Sequence, residues 1–243
     1  MSRPRIAVLA SGGGSNLQAL VNHFHQLGEA RAGDIVLVAS NKADAGALDR
    51  ARAANIETAV IATARNPIGL TLDDVLTRRE IDIVVLAGYL QLIPSEVTRR
   101  FASRVLNVHP APLPEFGGSG MYGARVHRAV LAAGVRLSGP TVHFVDEVYD
   151  HGATIAQWPV PVMAGDDEYA LAARVLRAEH VLFPRVVQGV ASGAITQGNA
   201  TVALEQFDPS LDQASLGLVV DVALKRSTTA FVADRAETHG LGG

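Results

Sequence analysis

Cysteine is absent from the 243-residue sequence. That absence excludes disulfide frameworks, thiolate zinc sites, thiolate-held iron–sulfur clusters and cysteine nucleophiles. Any nucleophile or acid–base group must then be His, Ser, Asp, Glu or Lys. Charge of one sign is lacking too: 21 basic residues against 24 acidic ones give a net charge of -3, with a pI near 6.2. No global basic field is available for a phosphate backbone, which argues against nucleic acid as a partner. Nor is there an uninterrupted apolar run of the roughly 18 residues a membrane span needs, and the chain opens directly on the strand-like Arg5–Ala10. The expectation is a soluble, cytoplasmic protein with no membrane partner.

Hydrophobic residues make up 48% of the chain, enough for a sizeable core and too many for wholesale disorder. The length suits one α/β domain, taken as residues 1–192, with a C-terminal hairpin and tail over 193–243. Short apolar runs at Arg5–Ala10, Asp34–Ser40, Thr58–Ile61, Ile81–Ala87 and Arg104–Val108 alternate with amphipathic stretches. That is the pattern of parallel strands buried on both faces by crossover helices, an open, mostly parallel, doubly wound sheet. Leu17, Leu20, Val21 and Phe24 share one helical face within Asn16–Gln26, and Ala43–Ala53 and Leu72–Arg79 fill the next two crossovers. A Pro- and Gly-rich segment, His109–Gly120, follows the fifth run and is a candidate active-site wall. Helical pattern returns at Arg125–Ala133 and Glu168–Val190. Between them lie the strand-like Thr141–Val145, whose alternation implies a solvated or ligand-facing side, and Thr154–Val162. Ile195 with Thr201–Leu204 reads as a small hairpin, and Leu216–Leu224 as a docking helix.

Three constellations carry chemistry. Ser11-Gly12-Gly13-Gly14-Ser15-Asn16 follows the first strand and opens the first helix, where glycine allows close backbone approach and free N–H groups suit a phosphate. A dinucleotide fingerprint would want glycine at Leu17 and an acid at Ser40; a Walker lysine is missing, and so is the second glycine of a nucleophile elbow. Ser15 is therefore read as an N-cap or phosphate donor. Asn107 and His109 sit two apart at the end of the fifth strand and point to one side. An amide donor beside an imidazole suits acyl transfer, the one stabilising an oxyanion and the other moving a proton; the plain alternative is a histidine satisfied at a strand end. Third, Asp146-Glu147-Val148-Tyr149-Asp150-His151-Gly152 is a turn, but Asp150 would suit His109 as a partner that raises its pKa. His109, His127, His143 and His151 match no metal-ligand spacing, so no metal is expected.

These motifs, with Ser40-Asn41-Lys42-Ala43-Asp44, Val85-Leu86-Ala87-Gly88-Tyr89, Thr141-Val142-His143-Phe144-Val145, Ile155-Ala156-Gln157 and Glu179-His180, keep their order from residue 5 to about 190. Together they resemble the phosphoribosylglycinamide formyltransferases. The resemblance implies a Rossmann-like formyltransferase domain that moves a formyl group from the co-substrate 10-formyltetrahydrofolate to glycinamide ribonucleotide in purine biosynthesis, without a metal, as a monomer or homodimer. It implies Asn107, His109 and Asp150 as the catalytic trio; Gly14, Ser15 and Asn16 on the substrate phosphate; and Glu179 near the substrate amine or ribose. Leu90, Gln91, Leu92 and Ile93, with Asp146, Glu147, Val148 and Tyr149, would wall the folate pocket. The chain departs from the family pattern at Gln91, Ala111, Pro112, Arg125 and Leu176, which bears on substrate contacts rather than on the trio.

Two relatives share the formyl-handling core. Methionyl-tRNA formyltransferase carries a further RNA-binding domain, for which the stretch after Ser192 leaves little room. Formyltetrahydrofolate deformylase carries a domain ahead of a first strand that here begins at Arg5. A non-catalytic folate or nucleotide sensor is the alternative from another class, and it would have no need of Asn107, His109 and Asp150 together.

Overall fold

The apolar run at the start of the chain becomes the middle of a sheet. A computed structural model describes residues 2–63 and 69–197. Its first half runs β1 (Arg5–Leu9), α1 (Ser15–Leu27), β2 (Asp34–Ser40), α2 (Gly46–Ala53), β3 (Glu57–Val60), α3 (Leu72–Arg78), β4 (Ile83–Leu86), α4 (Ser95–Arg100) and β5 (Val105–His109). The second half runs α5 (Ala124–Ala132), β6 (Leu137–Ser138), β7 (Thr141–Phe144), β8 (Thr154–Gln157), β9 (Val160–Pro161) and α6 (Glu168–Ala191). Seven strands form one sheet in the order β3-β2-β1-β4-β5-β7-β8. Pairing is parallel from β3 through β5 and antiparallel for β5 with β7 and β7 with β8.

Strands β1 and β4 are apolar from Ile6 to Leu9 and from Ile83 to Leu86 because both of their faces are covered. Ile6, Val8 and Ala10 join Val85 and Leu106 in a core packed against Leu17 and Leu20 of α1 and Leu171, Val175 and Leu182 of α6. Ala7 and Leu9 point the other way, into a second core with Val84, Leu86 and Val105 under Leu76 of α3 and Val97 of α4. Successive side chains alternate between the faces, so a strand sandwiched in this way favours an apolar residue at every position; β5 and β7 depart from this at Asn107, His109, Thr141 and His143. Each fully buried Leu, Ile or Val contributes about 1.5–3 kcal/mol relative to exposure. The open, mostly parallel α/β sheet read from the sequence is the fold observed.

One helix was not expected, one expectation needs correction and another is narrowed. Helix α4 carries no legible period because it has six residues, and it starts directly after Pro94, which supplies a fixed φ at its entry. Thr154–Val162 is two strands rather than one. At Trp158 the chain leaves the main sheet, with Trp158 N–H donating to the Pro140 carbonyl at 3.1 Å, and β9 pairs with β6 in a separate two-stranded sheet. Gly139 makes this crossing feasible, since a Cβ on it would stand 1.8 Å from the Trp158 carbonyl oxygen. Of the two readings of the alternation in Thr141–Val145, a solvated side is excluded, because Thr141 and His143 are buried at 0% and 1% exposure, while His143 and Val145 do line a cavity.

Helix α6 closes the first core. Asp167 caps it by accepting from Tyr169 N–H at 3.0 Å and Ala170 N–H at 2.7 Å. Arg174 ties its first turns to Asp166 through two bonds of 2.7 and 2.9 Å and to the Pro161 carbonyl at 2.9 Å. Ile195 packs back against Gly189 of α6, its N–H donating to the Gly189 carbonyl at 3.0 Å. The expected hairpin partner at 201–204 and docking helix at 216–224 lie outside the described residues.

Candidate active site

The strand order turns at β1, whose neighbours β2 and β4 lead the chain away in opposite directions, so a crevice opens at their carboxyl ends. Ser11, directly after β1, ties its walls together. Its N–H donates to the Gly88 carbonyl at 3.0 Å, its hydroxyl donates to Asn41 Oδ1 at 2.7 Å, and the same oxygen accepts from Leu90 N–H at 3.0 Å.

The glycine-rich turn is held from below by α2. Ala47 N–H donates to the Gly12 carbonyl at 3.0 Å, and Arg50 Nε donates to the Gly13 carbonyl at 2.7 Å. Gly14 has φ 76°, and a Cβ on it would lie 2.8 Å from Ala47, so only glycine fits. Gly14 is itself the N-cap of α1, and no side chain caps the helix. Of the two roles expected of Ser15, cap or phosphate donor, the cap falls to Gly14; Ser15 is the first helical residue, and the first-turn N–H groups are left for another acceptor. Its side chain lines a neighbouring cleft between α1 and α6.

Asn16, one residue on, turns inward. Its Nδ2 donates to Glu179 Oε2 of α6 at 2.5 Å, while its Oδ1 is buried without a hydrogen-bond partner. Glu179 is 6% exposed, and burial pushes its carboxyl up to about 7 against the opposing pull of the Asn16 bond.

The three residues expected to act together do meet. His109 Nδ1 lies 3.4 Å from Asp150 Oδ2, and Asn107 Nδ2 donates to Asp150 Oδ1 at 3.4 Å. Asp150 Oδ2 also accepts from Gly118 N–H at 3.0 Å, and Asp150 sits at φ 55°, a left-handed conformation that its hydrogen bonds hold in place. Close by, Gly152 lets the loop pass over β7, since a Cβ there would stand 1.9 Å from the Phe144 carbonyl oxygen. The other ring nitrogen of His109, Nε2, lies 2.8 Å from the Phe116 carbonyl oxygen. Both partners of the ring are acceptors, so both nitrogens are satisfied only in the imidazolium.

Burial nevertheless moves His109 the other way. Desolvation holds its pKa below the usual histidine range, outweighing the Asp150 carboxylate and the Phe116 carbonyl, which raise it. The raised pKa expected from pairing with Asp150 is thereby corrected: the ring is nine-tenths or more out of water, and a pair 3.4 Å apart does not recover that loss. For Asp150 the balance is reversed. Burial is the largest single influence and raises its carboxyl, but His143, His109 and the Gly118 N–H together hold it below the usual carboxylate range.

A cavity of about 200 Å³ lies over the trio. Asn16 and Glu179 line it, as do the apolar Leu90, Leu92, Ile93, Val148 and Tyr149. Leu90, Leu92 and Val148 are 44%, 46% and 58% exposed, a cluster of large apolar side chains suited to the flat ring of a ligand. Gln91 is exposed and does not line the cavity. Asp146 and Glu147 line a shallow cleft on the far side of their loop, where Asp146 pairs with His151 at 2.8 Å and Glu147 with Arg99 at 3.5 Å. His143 belongs to the site and was missed as a site residue. It stands directly across from Asn107 in the β5–β7 ladder, with Nε2 3.1 Å from Asn107 Nδ2. Only the antiparallel register, which the sequence does not display, brings the two together. Among the described residues no group of three or more His, Asp or Glu could hold a metal ion.

Residues 4–187 match the family model described as formyl transferase. The chain belongs to the formyl transferase family. It is 44% identical over 208 residues to the chloroplastic phosphoribosylglycinamide formyltransferase of Vigna unguiculata, covering 84% of this chain and 66% of that protein. Identity is also 44% over 216 residues to the corresponding Arabidopsis thaliana protein, covering 87% of this chain and 73% of that one. The crystal structure of phosphoribosylglycinamide formyltransferase from Brucella melitensis superposes with a TM-score of 0.68 at 39% identity, covering 80% of this chain and 98% of that one. Within the family match fall Asn107, His109 and Asp150, and no described helix is long and apolar enough to cross a membrane.

Proposed function

We infer that this formyl transferase moves the formyl group of 10-formyltetrahydrofolate to the amino group of glycinamide ribonucleotide, giving N-formylglycinamide ribonucleotide for purine biosynthesis. The observation that carries the reading is the convergence of Asn107, His109 and Asp150 beside the uncapped start of α1, in a chain 44% identical to curated phosphoribosylglycinamide formyltransferases.

Each residue type suits one demand of the reaction. The N–H groups at Gly14, Ser15 and Asn16 offer the substrate phosphate a helix start with no competing cap. Asn16 and Glu179 line the same cavity, and their side-chain oxygens suit the hydroxyl or amine donors of the ribonucleotide. The apolar lining at Leu90, Leu92, Ile93, Val148 and Tyr149 takes the folate ring as co-substrate.

As the amine attacks the formyl carbon, negative charge develops on the formyl oxygen. Asn107 donates an N–H to it, a contribution of about 10²- to 10³-fold for a well-placed donor. His109 places its charge beside that oxygen, and the developing anion favours the imidazolium that burial alone disfavours. Asp150 orients the ring and stabilises its charged form. The attacking amine loses a proton and the folate nitrogen gains one as the carbon–nitrogen bond to the folate breaks. Most of the acceleration comes from holding the amine, the carbonyl and these dipoles together.

The deciding experiment follows 10-formyltetrahydrofolate with and without glycinamide ribonucleotide. Stoichiometric N-formylglycinamide ribonucleotide, formed only when both are present, is the expected result. Formate released without the acceptor would make the chain a deformylase, and binding of both without turnover would make it a sensor. The same reading takes the enzyme as cytoplasmic, in contrast to its chloroplastic plant relatives, and as a monomer or homodimer; cell fractionation and sedimentation test those two points.

A further inference from the structure

His143 is a fully buried imidazole whose Nε2 stands between two side chains of the trio, 3.1 Å from Asn107 Nδ2 and 3.6 Å from Asp150 Oδ1. Its Nδ1 lies 2.8 Å from the Phe144 carbonyl oxygen. A carbonyl can only accept, so Nδ1 carries the proton, and in the neutral ring Nε2 is left as an acceptor. That acceptor faces Asn107 at 3.1 Å, so the Asn107 side chain must turn its NH₂ end, not its carbonyl, toward His143. The second hydrogen of the same NH₂ then points toward Asp150 Oδ1, 3.4 Å away and loosely held.

The backbone carbonyl of Phe144, the last residue of β7, thus acts on the polarity of the catalytic amide through one imidazole, alongside the Asp150 carboxylate. Without that acceptor only Asp150 Oδ1, 3.4 Å away, distinguishes the two ends of the Asn107 amide, and once that bond is given up the carbonyl end could face the reacting centre and repel an oxyanion. We infer that His143 is a positioning residue: its Nδ1–H tautomer, set by the Phe144 carbonyl, holds the Asn107 amide with its N–H donors toward the formyl oxygen. The loose bond to Asp150 is the one exchanged for the oxyanion, while the shorter bond to His143 persists as the hinge. This rests on the reading of Asn107 as the oxyanion donor.

The test compares substitutions at one buried position. His143→Leu removes the acceptor; it should lower kcat about 10- to 100-fold, part of the value of one oxyanion donor, with KM for both substrates changed less than about threefold. His143→Gln restores an acceptor near the position of Nε2 and should recover about tenfold of that loss, whereas His143→Asn keeps a donor for Phe144 but no acceptor within reach and should not. In an Asn107→Ala background, His143→Leu should cost less than about twofold, because the two act as one unit.

A kcat for His143→Leu within about threefold of wild type would overturn the inference, as would a loss shared equally by kcat and KM that Gln does not repair better than Leu. Should the Leu variant not fold, equal rates for the Gln and Asn variants would overturn it just as well. If Asn107→Ala itself retains wild-type kcat, the reading of Asn107 fails first; a slow Asn107→Ala with a normal His143→Leu sinks the positioning role alone.

Discussion

Replacing Glu179 by Gln should stabilise the protein, and only toward alkaline pH. The carboxyl is 6% exposed, its hydrogen-bond donor is Asn16 Nδ2 at 2.5 Å, and burial raises it from 4.5 to about 7. In the unfolded chain it returns to its ordinary value. Below about 4.5 both states hold the proton and burial of the neutral acid costs nothing extra; between 4.5 and about 7 the native state keeps a proton that the unfolded state has released. Stability therefore falls as pH rises through that window, by about 1.4 kcal/mol per pH unit and about 3 kcal/mol in all. Gln has no proton to lose and lacks the slope. Urea or thermal unfolding of both proteins from about pH 4.5 to 8 should show the variant gaining about 3 kcal/mol on wild type, or several degrees in Tm for a domain of this size. A pH-independent offset added to that slope, from Gln bonding differently to Asn16, leaves the reasoning intact. A difference that does not change with pH, or that changes with the opposite sign, refutes it.

Other outcomes follow from the same geometry. Asp150→Asn should reduce kcat by about 10²-fold or more while the folate KM moves little; the opposite split in steady-state kinetics would demote Asp150 to a cavity wall. Gly14→Ala forces a Cβ to within 2.8 Å of Ala47 at φ 76°, so it should displace α2 from the turn and chiefly raise the KM for glycinamide ribonucleotide. An unchanged KM in that variant would remove the phosphate from the glycine-rich turn. Extended dialysis against a chelator should leave the rate unaltered, and activity restored only by added metal would contradict a mechanism run by an amide, an imidazole and a carboxylate.

Legibility differed from element to element. Strands β1 and β4 were most readable because burial on both faces demands uninterrupted apolar runs, and helix α1 because Leu17, Leu20 and Phe24 must share one face. Helix α4 and the break at Trp158 were not, since six residues show no period and a change of sheet leaves no mark on local hydrophobicity. Asn107 and His109 stood out by their place at a strand end. His143 did not, because its role depends on a cross-strand partner 36 residues away.

By itself the sequence determined what local chemistry can determine: which segments must be covered on both sides, where the backbone needs glycine, and which residue types were available in the absence of cysteine. Pattern along the chain also pointed to the right family. Tertiary structure alone decided the state of those residues. It placed Gly14 rather than Ser15 at the helix cap, made His109 harder rather than easier to protonate, and buried Glu179 until its proton is held to about neutrality. The reason is that charge state and hydrogen-bond direction depend on desolvation and on partners brought from distant strands, and these exist only once the sheet has formed.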